Sequence, residues 1–251
     1  MSHGSGGDRY NISWLAEVLA ANGYIVAAMD HFGNTWNNKI PESYASPWER
    51  PRDVSYALDQ MLDSPQFQDR IDRNRIGFAG YSLGGATGMW IAGGEAALLD
   101  NDLVKANAAK DLGEIAQPEL LDKIDFNEAF GSYRDPRISV VMVMAPALGW
   151  MFAGDSLEKI DIPVYIVATE KDQVVPTEKN AKVFAAKIAQ ATLKILQGEA
   201  THYVFLNRVN AVGKRFLDAR YCEDPASIDR KKLHDEIAKN SILFFDEHLN
   251  R

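Results

Sequence analysis

The chain has 251 residues, of which 46% are hydrophobic and 25% are charged, as is typical of a globular protein with a sizeable core. The formal net charge of -8 and the isoelectric point near 5.2 argue against nucleic-acid binding, which needs a basic surface. A single cysteine, Cys222, excludes an internal disulfide and a cysteine cluster for zinc. We expect one domain over residues 1–251.

The chain opens with a glycine-rich loop, then a helix and a strand. Residues 3–7 read His-Gly-Ser-Gly-Gly. Apolar residues at helical spacing over 12–19 predict a helix that Gly23 ends. The continuous apolar run 24–29 predicts a short buried strand. Residues 32–52 are rich in proline and aromatic residues and predict a long irregular segment, a kind that is usually functional or mobile.

Helices and strands then alternate along the chain. Apolar spacing predicts strands at 76–79, 138–144, 162–168 and 193–196, and helices at 54–62, 84–92, 183–188 and 228–249. The polar, alanine-rich residues 95–137 are interpreted as a mostly helical, cap-like insertion. This alternation predicts an α/β fold with a mostly parallel central sheet and helices on both faces.

No membrane span and no signal peptide are predicted. The longest uncharged run, residues 138–154, is roughly 17 residues long and contains Pro146 and Gly149, so a buried strand explains it better. The N-terminus lacks a basic region followed by an apolar one. As it stands, the sequence predicts a cytoplasmic protein. A secreted or periplasmic protein is expected instead if an upstream segment with a signal peptide is missing.

The most informative motif is Gly80-Tyr81-Ser82-Leu83-Gly84, which lies between a predicted strand and a predicted helix. Gly-x-Ser-x-Gly in this context predicts a tight turn that exposes a nucleophilic serine. The flanking glycines remove side chains that would obstruct so sharp a turn. The alternative is a glycine-rich turn in which the serine is incidental.

A serine nucleophile needs a base and a group that orients the base. Asp172 and His202 follow later predicted strands, and the carboxyl ends of parallel strands share one edge of a sheet. We therefore predict that Ser82, His202 and Asp172 act together, with Glu170 as the alternative acid. Among the other histidines, His31 is interpreted as a loop or pocket residue, and surface positions are expected for His234 and His248.

Stabilising an oxyanion requires two N–H donors. One is expected from Leu83, which follows the nucleophile, and the other from Ser5 or, second, Gly4 in the glycine-rich loop. The alternative for this loop is a flexible, tag-like N-terminus.

Together these residues resemble bacterial predicted dienelactone hydrolases related to platelet-activating-factor acetylhydrolase, a group of α/β hydrolases. The resemblance runs along nearly the whole chain. It rests on residues 2–7, 19–24, 30–34, 50–54, 71–77, 80–84, 145–149, 162–164, 171–172 and 201–203. It implies an α/β-hydrolase fold and a serine esterase that needs no metal or cofactor, with short acyl chains on phospholipids as substrates in some relatives.

Two features depart from this group. Dienelactone hydrolases proper use a cysteine nucleophile, whereas this chain has Ser82. In addition, only Met1 and Ser2 precede the glycine-rich loop, where the fold carries further strands. We expect either that the start is truncated or misannotated, or that another segment covers the sheet edge.

The function expected from the sequence is that of a serine carboxylic-ester hydrolase acting on a small-molecule ester, either short-chain or lipid-like. A homodimer is compatible with the sequence. Substrate contacts are expected from the aromatic residues Trp36, Tyr44, Trp48 and Tyr81, of which the first three are equally well interpreted as anchors of their segment. Two alternatives are a serine peptidase of similar fold and a non-catalytic, hydrolase-like binding protein.

Overall fold

The structure, a computed structural model, describes residues 1–97, 105, 106, 109, 119, 122–152 and 154–249. Over these residues the sheet has four parallel strands, each paired with the next one along the chain. They are β1 (Ile76–Tyr81), β2 (Ile138–Met144), β3 (Val164–Thr169) and β4 (Ala191–Leu196). Because parallel neighbours cannot be joined by a tight hairpin, each connection crosses over and includes helical residues.

The described helices precede, connect and follow these strands. They are α1 (Ser13–Ala21), α2 (Pro41–Ala45), α3 (Arg50–Asp63), α4 (Leu83–Ala92), α5 (Gly154–Glu158), α6 (Ala181–Lys187), α7 (Ala219–Cys222) and α8 (Arg230–His248). Short 3-10 turns occur at Pro47–Glu49, Phe126–Phe130, Thr177–Lys179, His202–Phe205 and Gly213–Arg215. The long helix α8 starts at an N-cap, Asp229, whose carboxylate accepts the Lys232 N–H and so stabilises the first turn.

Strand β2 lies at the centre of the core, and its side chains alternate between two apolar clusters. Val141 and Val143 pack with residues of α3, α4 and α6 on one face. Val140 and Met142 pack with residues of α1 and α8 on the other face. Helices therefore cover both faces of a parallel sheet, which confirms the predicted α/β class.

The strand predicted over residues 24–29 is wrong except at its last residue. Met29 makes an isolated parallel bridge to Ser2, and the Met1 ammonium group donates to the Ala27 carbonyl at 2.6 Å. An apolar run becomes a strand only where it has a ladder of neighbours, and here one bridging residue replaces the ladder.

The irregular segment predicted over residues 32–52 is more ordered than expected. It contains α2 and the 3-10 turn Pro47–Glu49, and α3 already begins at Arg50. The prolines account for the difference. Pro41, Pro47 and Pro51 occupy first turns, where a missing N–H removes no intrahelical hydrogen bond.

One edge of the sheet is extended beyond β1 by Ser2, which bridges to both Gly80 and Met29. The Ser2 N–H donates to Ala79 O at 3.0 Å, and its carbonyl accepts the Tyr81 N–H at 3.1 Å. A cavity of about 330 Å³ lies at this edge, and its lining includes Val26, Met29, Leu58, Phe78 and Phe245.

Most of the predicted helical insertion at 95–137 falls outside the described residues, which omit 98–104, 107, 108, 110–118, 120 and 121. Its described end carries the 3-10 turn Phe126–Phe130. In the part of the chain that the structure describes, no helix combines the length and apolar character needed to span a membrane.

Candidate active site

Ser82 lies between the end of β1 and the start of α4, with φ 55° and ψ -116°. A non-glycine residue keeps such a conformation only where its surroundings hold it there. Two glycines make the turn sterically possible. A Cβ on Gly80 would overlap the Gly84 carbonyl, and a Cβ on Gly84 would overlap the Ser2 carbonyl. The turn leaves Ser82 9% exposed at the N-terminal end of α4.

Ser82, His202 and Asp172 form one hydrogen-bonded chain. Ser82 Oγ lies 3.0 Å from His202 Nε2, and His202 Nδ1 lies 2.7 Å from Asp172 Oδ2. A carboxylate only accepts hydrogen bonds, so these contacts assign the imidazole proton to Nδ1. His202 Nε2 is then free to accept the Ser82 hydroxyl proton, which is the geometry required to activate a serine.

Asp172 is held rigidly in this arrangement. Its Oδ1 atom accepts the N–H groups of Val174 and Val175 at 2.9 and 2.7 Å, which leaves Oδ2 for His202. Glu170, the alternative acid, is exposed and accepts the Gly198 N–H at 3.0 Å. The structure therefore places Asp172, and not Glu170, against the imidazole.

The glycine-rich loop lies beside Ser82. A Cβ on Gly4 would be 3.2 Å from Ser82 Cβ, so the loop backbone abuts the serine. Residues 4–7 form a turn in which the Gly7 N–H donates to Gly4 O at 3.2 Å and Gly6 has φ 61°. Ser5 is the exposed residue of this turn. On the other side, Leu83 begins α4, and the first N–H groups of a helix have no acceptor within it.

A buried polar network holds the loop from behind. Arg50, the first residue of α3, donates to His3 O at 2.8 Å and to Gly4 O at 3.3 Å. The His31 N–H donates to His3 Nε2 at 3.2 Å, so the ring proton of His3 is on Nδ1, which lies 2.7 Å from Gly4 O. The Gly4 carbonyl thus accepts hydrogen bonds from both side chains.

A second chain of serine, histidine and aspartate lies behind this loop. Ser2 Oγ is 2.8 Å from His31 Nε2, and His31 Nδ1 is 2.7 Å from Asp53 Oδ2. Ser2 and His31 are fully buried, at 0% and 1% exposed, so this serine has no access to a substrate. His31 thus belongs to the buried polar network that lies behind the glycine-rich loop.

Burial controls the ionisation of this network. It lowers the pKa of His3 to about 2, with the Arg50 charge as the next cause, and it lowers the pKa of His31 well below its ordinary value. Burial also lowers the pKa of the Arg50 guanidinium to about 9, so Arg50 keeps its charge at neutral pH while both histidines are neutral.

The four aromatic residues expected to contact substrate occupy different environments. Trp36 is 64% exposed, and its indole N–H donates to Asp8 at 3.1 Å. The hydroxyl group of Tyr44 lies near Gly6 of the loop. Trp48 is fully buried against Phe126, as an anchor of its segment would be. Tyr81 is buried beneath the imidazole, with its hydroxyl donating to His202 O at 3.2 Å.

The surface position predicted for His234 is wrong. Its ring stacks on Trp14 at a centroid distance of 4.0 Å, and Nε2 donates to Val204 O at 2.7 Å. Helix α8 turns this position towards the core, so burial lowers the pKa of His234 to about 4. His248 is half-buried and meets the ring of Phe244 edge-on.

Sequence reasoning gave no role to Arg50 or Asp53, and it did not connect them with His3 and His31. The sequence did contain a signal for Arg50. In the run Arg50-Pro51-Arg52-Asp53, it is a charged residue at the start of a helix. What the sequence could not show is that Arg50 is 2% exposed and turned towards a loop nearly fifty residues earlier.

A strand that leads through a strained serine into a helix, with an acid and a histidine after later parallel strands, defines the α/β-hydrolase fold. The chain has this fold. Its serine, histidine and aspartate lie where strand ends meet, which is where ligands bind in such sheets.

Comparison with known proteins points to the same α/β-hydrolase-type superfamily. No family model matches the chain. A 94-residue segment, 37% of the chain, is 34% identical to cutinase est1 from Thermobifida alba and covers 29% of that protein. An 89-residue segment, 34% of the chain, is 34% identical to dipeptidyl-peptidase 5 from Porphyromonas gingivalis and covers 12% of it. The chain thus matches less than a third of the length of each of these two relatives.

Proposed function

We propose that this protein is a serine carboxylic-ester hydrolase that works through an acyl-enzyme. The observation that carries the proposal is the hydrogen-bonded chain from Ser82 through His202 to Asp172, with the serine at a strained turn between strand and helix. A serine hydroxyl is a weak nucleophile at neutral pH, and a base positioned by a third group overcomes this weakness.

In the first half of the reaction, Ser82 Oγ attacks the ester carbonyl while His202 Nε2 takes the hydroxyl proton. Asp172 keeps the imidazole in the correct tautomer and stabilises the imidazolium that forms. The carbonyl oxygen becomes an oxyanion, which accepts hydrogen bonds from the N–H groups of Leu83 and Ser5, with Gly4 as the second candidate in the loop. The imidazolium then protonates the leaving alkoxide, and the ester bond breaks.

In the second half, water replaces the alcohol. His202 removes a proton from this water, which attacks the acyl carbonyl at the same site. A second oxyanion forms and collapses, and Ser82 leaves with the proton that His202 returns to it. The products are a carboxylic acid and free enzyme.

The substrate class that fits best is a short-chain or lipid-like ester. Similarity to several cutinases supports an ester over an amide, and the resemblance to hydrolases related to platelet-activating-factor acetylhydrolase supports an acyl chain of limited length. Ser82 in place of a cysteine argues against dienelactone itself as the substrate.

Two measurements test this proposal. A fluorophosphonate probe should label the wild-type protein at Ser82, and a series of p-nitrophenyl esters of increasing acyl length should give turnover with a maximum at short chains. The Ser82→Ala variant should lose labelling and on the order of 10⁶-fold in kcat. Retained turnover of p-nitrophenyl acetate by Ser82→Ala would rule out the mechanism. An unlabelled wild type would favour the non-catalytic alternative.

A second candidate function is peptide hydrolysis, which the similarity to dipeptidyl-peptidase 5 favours. The same nucleophile and base could attack an amide, although the leaving amine must then be protonated before it departs. Matched ester and amide substrates with the same acyl group discriminate the two functions. A ratio of kcat/KM that favours the amide would replace the esterase proposal with this one.

A further inference from the structure

Tyr81 is the residue immediately before the proposed nucleophile, and the proposed catalytic steps leave it unused. It is the last residue of β1, it is 3% exposed, and its register partner in β2 is Met144. Its backbone N–H also donates to Ser2 O at 3.1 Å. Because the backbone that leads into Ser82 is held in this way, the side chain of Tyr81 projects from a fixed point.

The proposed base approaches Ser82 from the other side of the sheet. Ser82 follows β1 and His202 follows β4, which are the outer strands in the order β1-β2-β3-β4. Neighbouring strands lie about 4.8 Å apart, so three such steps separate β4 from β1 by about 14 Å. The chain after β4 therefore has to return past two strands before the imidazole can meet the serine. Pairing within the sheet does not fix where this returning segment stops.

Tyr81 makes a direct contact between β1 and the returning segment. Its hydroxyl donates to His202 O at 3.2 Å, and its ring centroid lies 5.0 Å from that of the imidazole. His202 is the first residue of the 3-10 turn that ends at Phe205. At the other end of this turn, the indole N–H of Trp14 donates to Phe205 O at 2.8 Å. The turn is thus held at its first residue by β1 and at its last residue by α1.

The hydroxyl of Tyr81 remains a donor in this buried environment. Burial raises the pKa of Tyr81 well above its ordinary value, so the hydroxyl keeps its proton and cannot become a charged acceptor. The ring also lies against the glycine-rich loop, since a Cβ on Gly4 would be 3.1 Å from Tyr81 Cε1. The side chain is therefore confined where its hydroxyl reaches the backbone of His202.

We propose that Tyr81 is a positioning residue whose hydroxyl holds the backbone carbonyl of His202 and so keeps Nε2 within reach of Ser82 Oγ. This inference rests on the proposed serine-hydrolase function. Asp172 holds His202 at Nδ1, at 2.7 Å, and Tyr81 holds it at the backbone, which leaves Nε2 at 3.0 Å from Ser82 Oγ. Because Tyr81 and Ser82 are adjacent, one rigid segment carries both the nucleophile and the anchor of its base.

The first experiment compares Tyr81→Phe, which removes only the hydroxyl, with Tyr165→Phe as a matched control. Tyr165 is also a buried tyrosine of the sheet, at 6% exposed, and it packs against Phe244 of α8. One neutral hydrogen bond corresponds to about 2- to 10-fold in an equilibrium constant. For p-nitrophenyl acetate we expect Tyr81→Phe to lower kcat by about 3- to 10-fold with KM within about twofold, because a misplaced base costs rate and not affinity. Tyr165→Phe should keep the kcat of the wild type.

The second experiment asks whether Tyr81 acts through His202. An enzyme that lacks one member of such a triad still retains about 10³–10⁴-fold catalysis over water, so the residual turnover of His202→Ala can be measured. This variant has no imidazole to position. Adding Tyr81→Phe to His202→Ala should therefore change the residual kcat by less than about 1.5-fold, although the same substitution lowers kcat in the wild type.

The outcomes separate this inference from the proposed function. Equal kcat for Tyr81→Phe and the wild type, or a loss of about 3- to 10-fold that persists in the His202→Ala background, would overturn the role of Tyr81 and leave the esterase proposal intact. A wild type without turnover and without labelling at Ser82 would overturn the proposed function instead. If Tyr81→Phe does not fold, by circular dichroism and thermal unfolding, the hydroxyl is structural and the positioning role is refuted.

Discussion

The Oδ2 atom of Asp172 lies 2.7 Å from Nδ1 of His202, while the other carboxylate oxygen of Asp172 is held by two backbone N–H groups. The carboxylate therefore cannot turn away from the imidazole without breaking hydrogen bonds to its own loop. This rigidity fixes which nitrogen of His202 faces Ser82.

Replacing Asp172 tests the tautomer assignment. In Asp172→Asn the amide can donate to His202 Nδ1, which favours the tautomer that cannot accept the serine proton. We expect kcat for p-nitrophenyl acetate to fall by on the order of 10⁴-fold with little change in KM. Glu170→Gln is the matched control, and its kcat should be that of the wild type. Equal losses in the two variants would reopen Glu170 as the acid.

The turn at residues 80–84 should tolerate no side chain at Gly84, because a Cβ there would overlap the Ser2 carbonyl, next to the glycine-rich loop. We expect Gly84→Ala to displace this loop and to lower kcat more than it lowers the melting temperature. Gly154→Ala is a suitable control, since a Cβ there would meet only the Lys187 side chain, at 3.4 Å and beyond. Kinetics together with thermal unfolding of both variants checks this prediction. An active Gly84→Ala enzyme would contradict it.

Acid should destabilise the protein before its carboxylates titrate. Burial lowers the pKa of three histidines. It lowers the pKa of His3 to about 2 and that of His234 to about 4, and it lowers the pKa of His31 well below its ordinary value. Each ring stays neutral in the folded state, whereas the unfolded chain binds a proton below about pH 6.5. The stability linked to these groups is thus present above pH 6.5 and lost as the pH falls towards the folded pKa, by up to about 1.4 kcal/mol per pH unit for each histidine.

Urea unfolding at pH 7, 6 and 5 measures this loss. The variant His234→Gln can still donate to Val204 O but cannot titrate, so its unfolding free energy should fall less steeply between pH 7 and 5. The difference from the wild type should be up to about 1.4 kcal/mol per pH unit. Identical slopes for the two proteins would show that His234 is protonated in the folded state.

The two tryptophans of residues 32–52 should behave differently. Trp48 is fully buried, so Trp48→Ala should reduce the unfolding free energy by about 3–5 kcal/mol. Trp36 is 64% exposed, so Trp36→Ala should change stability by less than about 0.5 kcal/mol. If Trp36 contacts the acyl chain, its loss should raise KM for longer esters more than for acetate. Unfolding curves and a chain-length series for both variants provide the measurement.

The order of the three residues proposed to be catalytic could be predicted from the sequence, because it depends on local rules. The run of residues 80–84 carries its own steric requirement, and the alternation of apolar runs with helical spacing indicates a parallel sheet. Once the sheet is parallel, residues that follow its strands fall at one edge. Asp172 and His202 therefore could be placed near Ser82 without coordinates.

Side-chain burial and partner choice could not be predicted in the same way. Whether Glu170 or Asp172 contacts the imidazole depends on how the loop after β3 turns. The apolar run 24–29 does not form a strand, because only one residue, Ser2, pairs with it. Residues of one helix also differ, as the buried Arg50 and half-exposed Arg52 show.

The sequence by itself determined the α/β class, the serine at the strand-to-helix turn and the order of the acid and histidine that follow. Tertiary structure alone decided that Arg50, His3 and His31 converge behind the glycine-rich loop. The physical reason is that steric requirements and apolar periodicity depend only on residues that are close together along the chain. The pairing of buried polar groups, in contrast, depends on which distant segments the packed core brings within hydrogen-bonding distance.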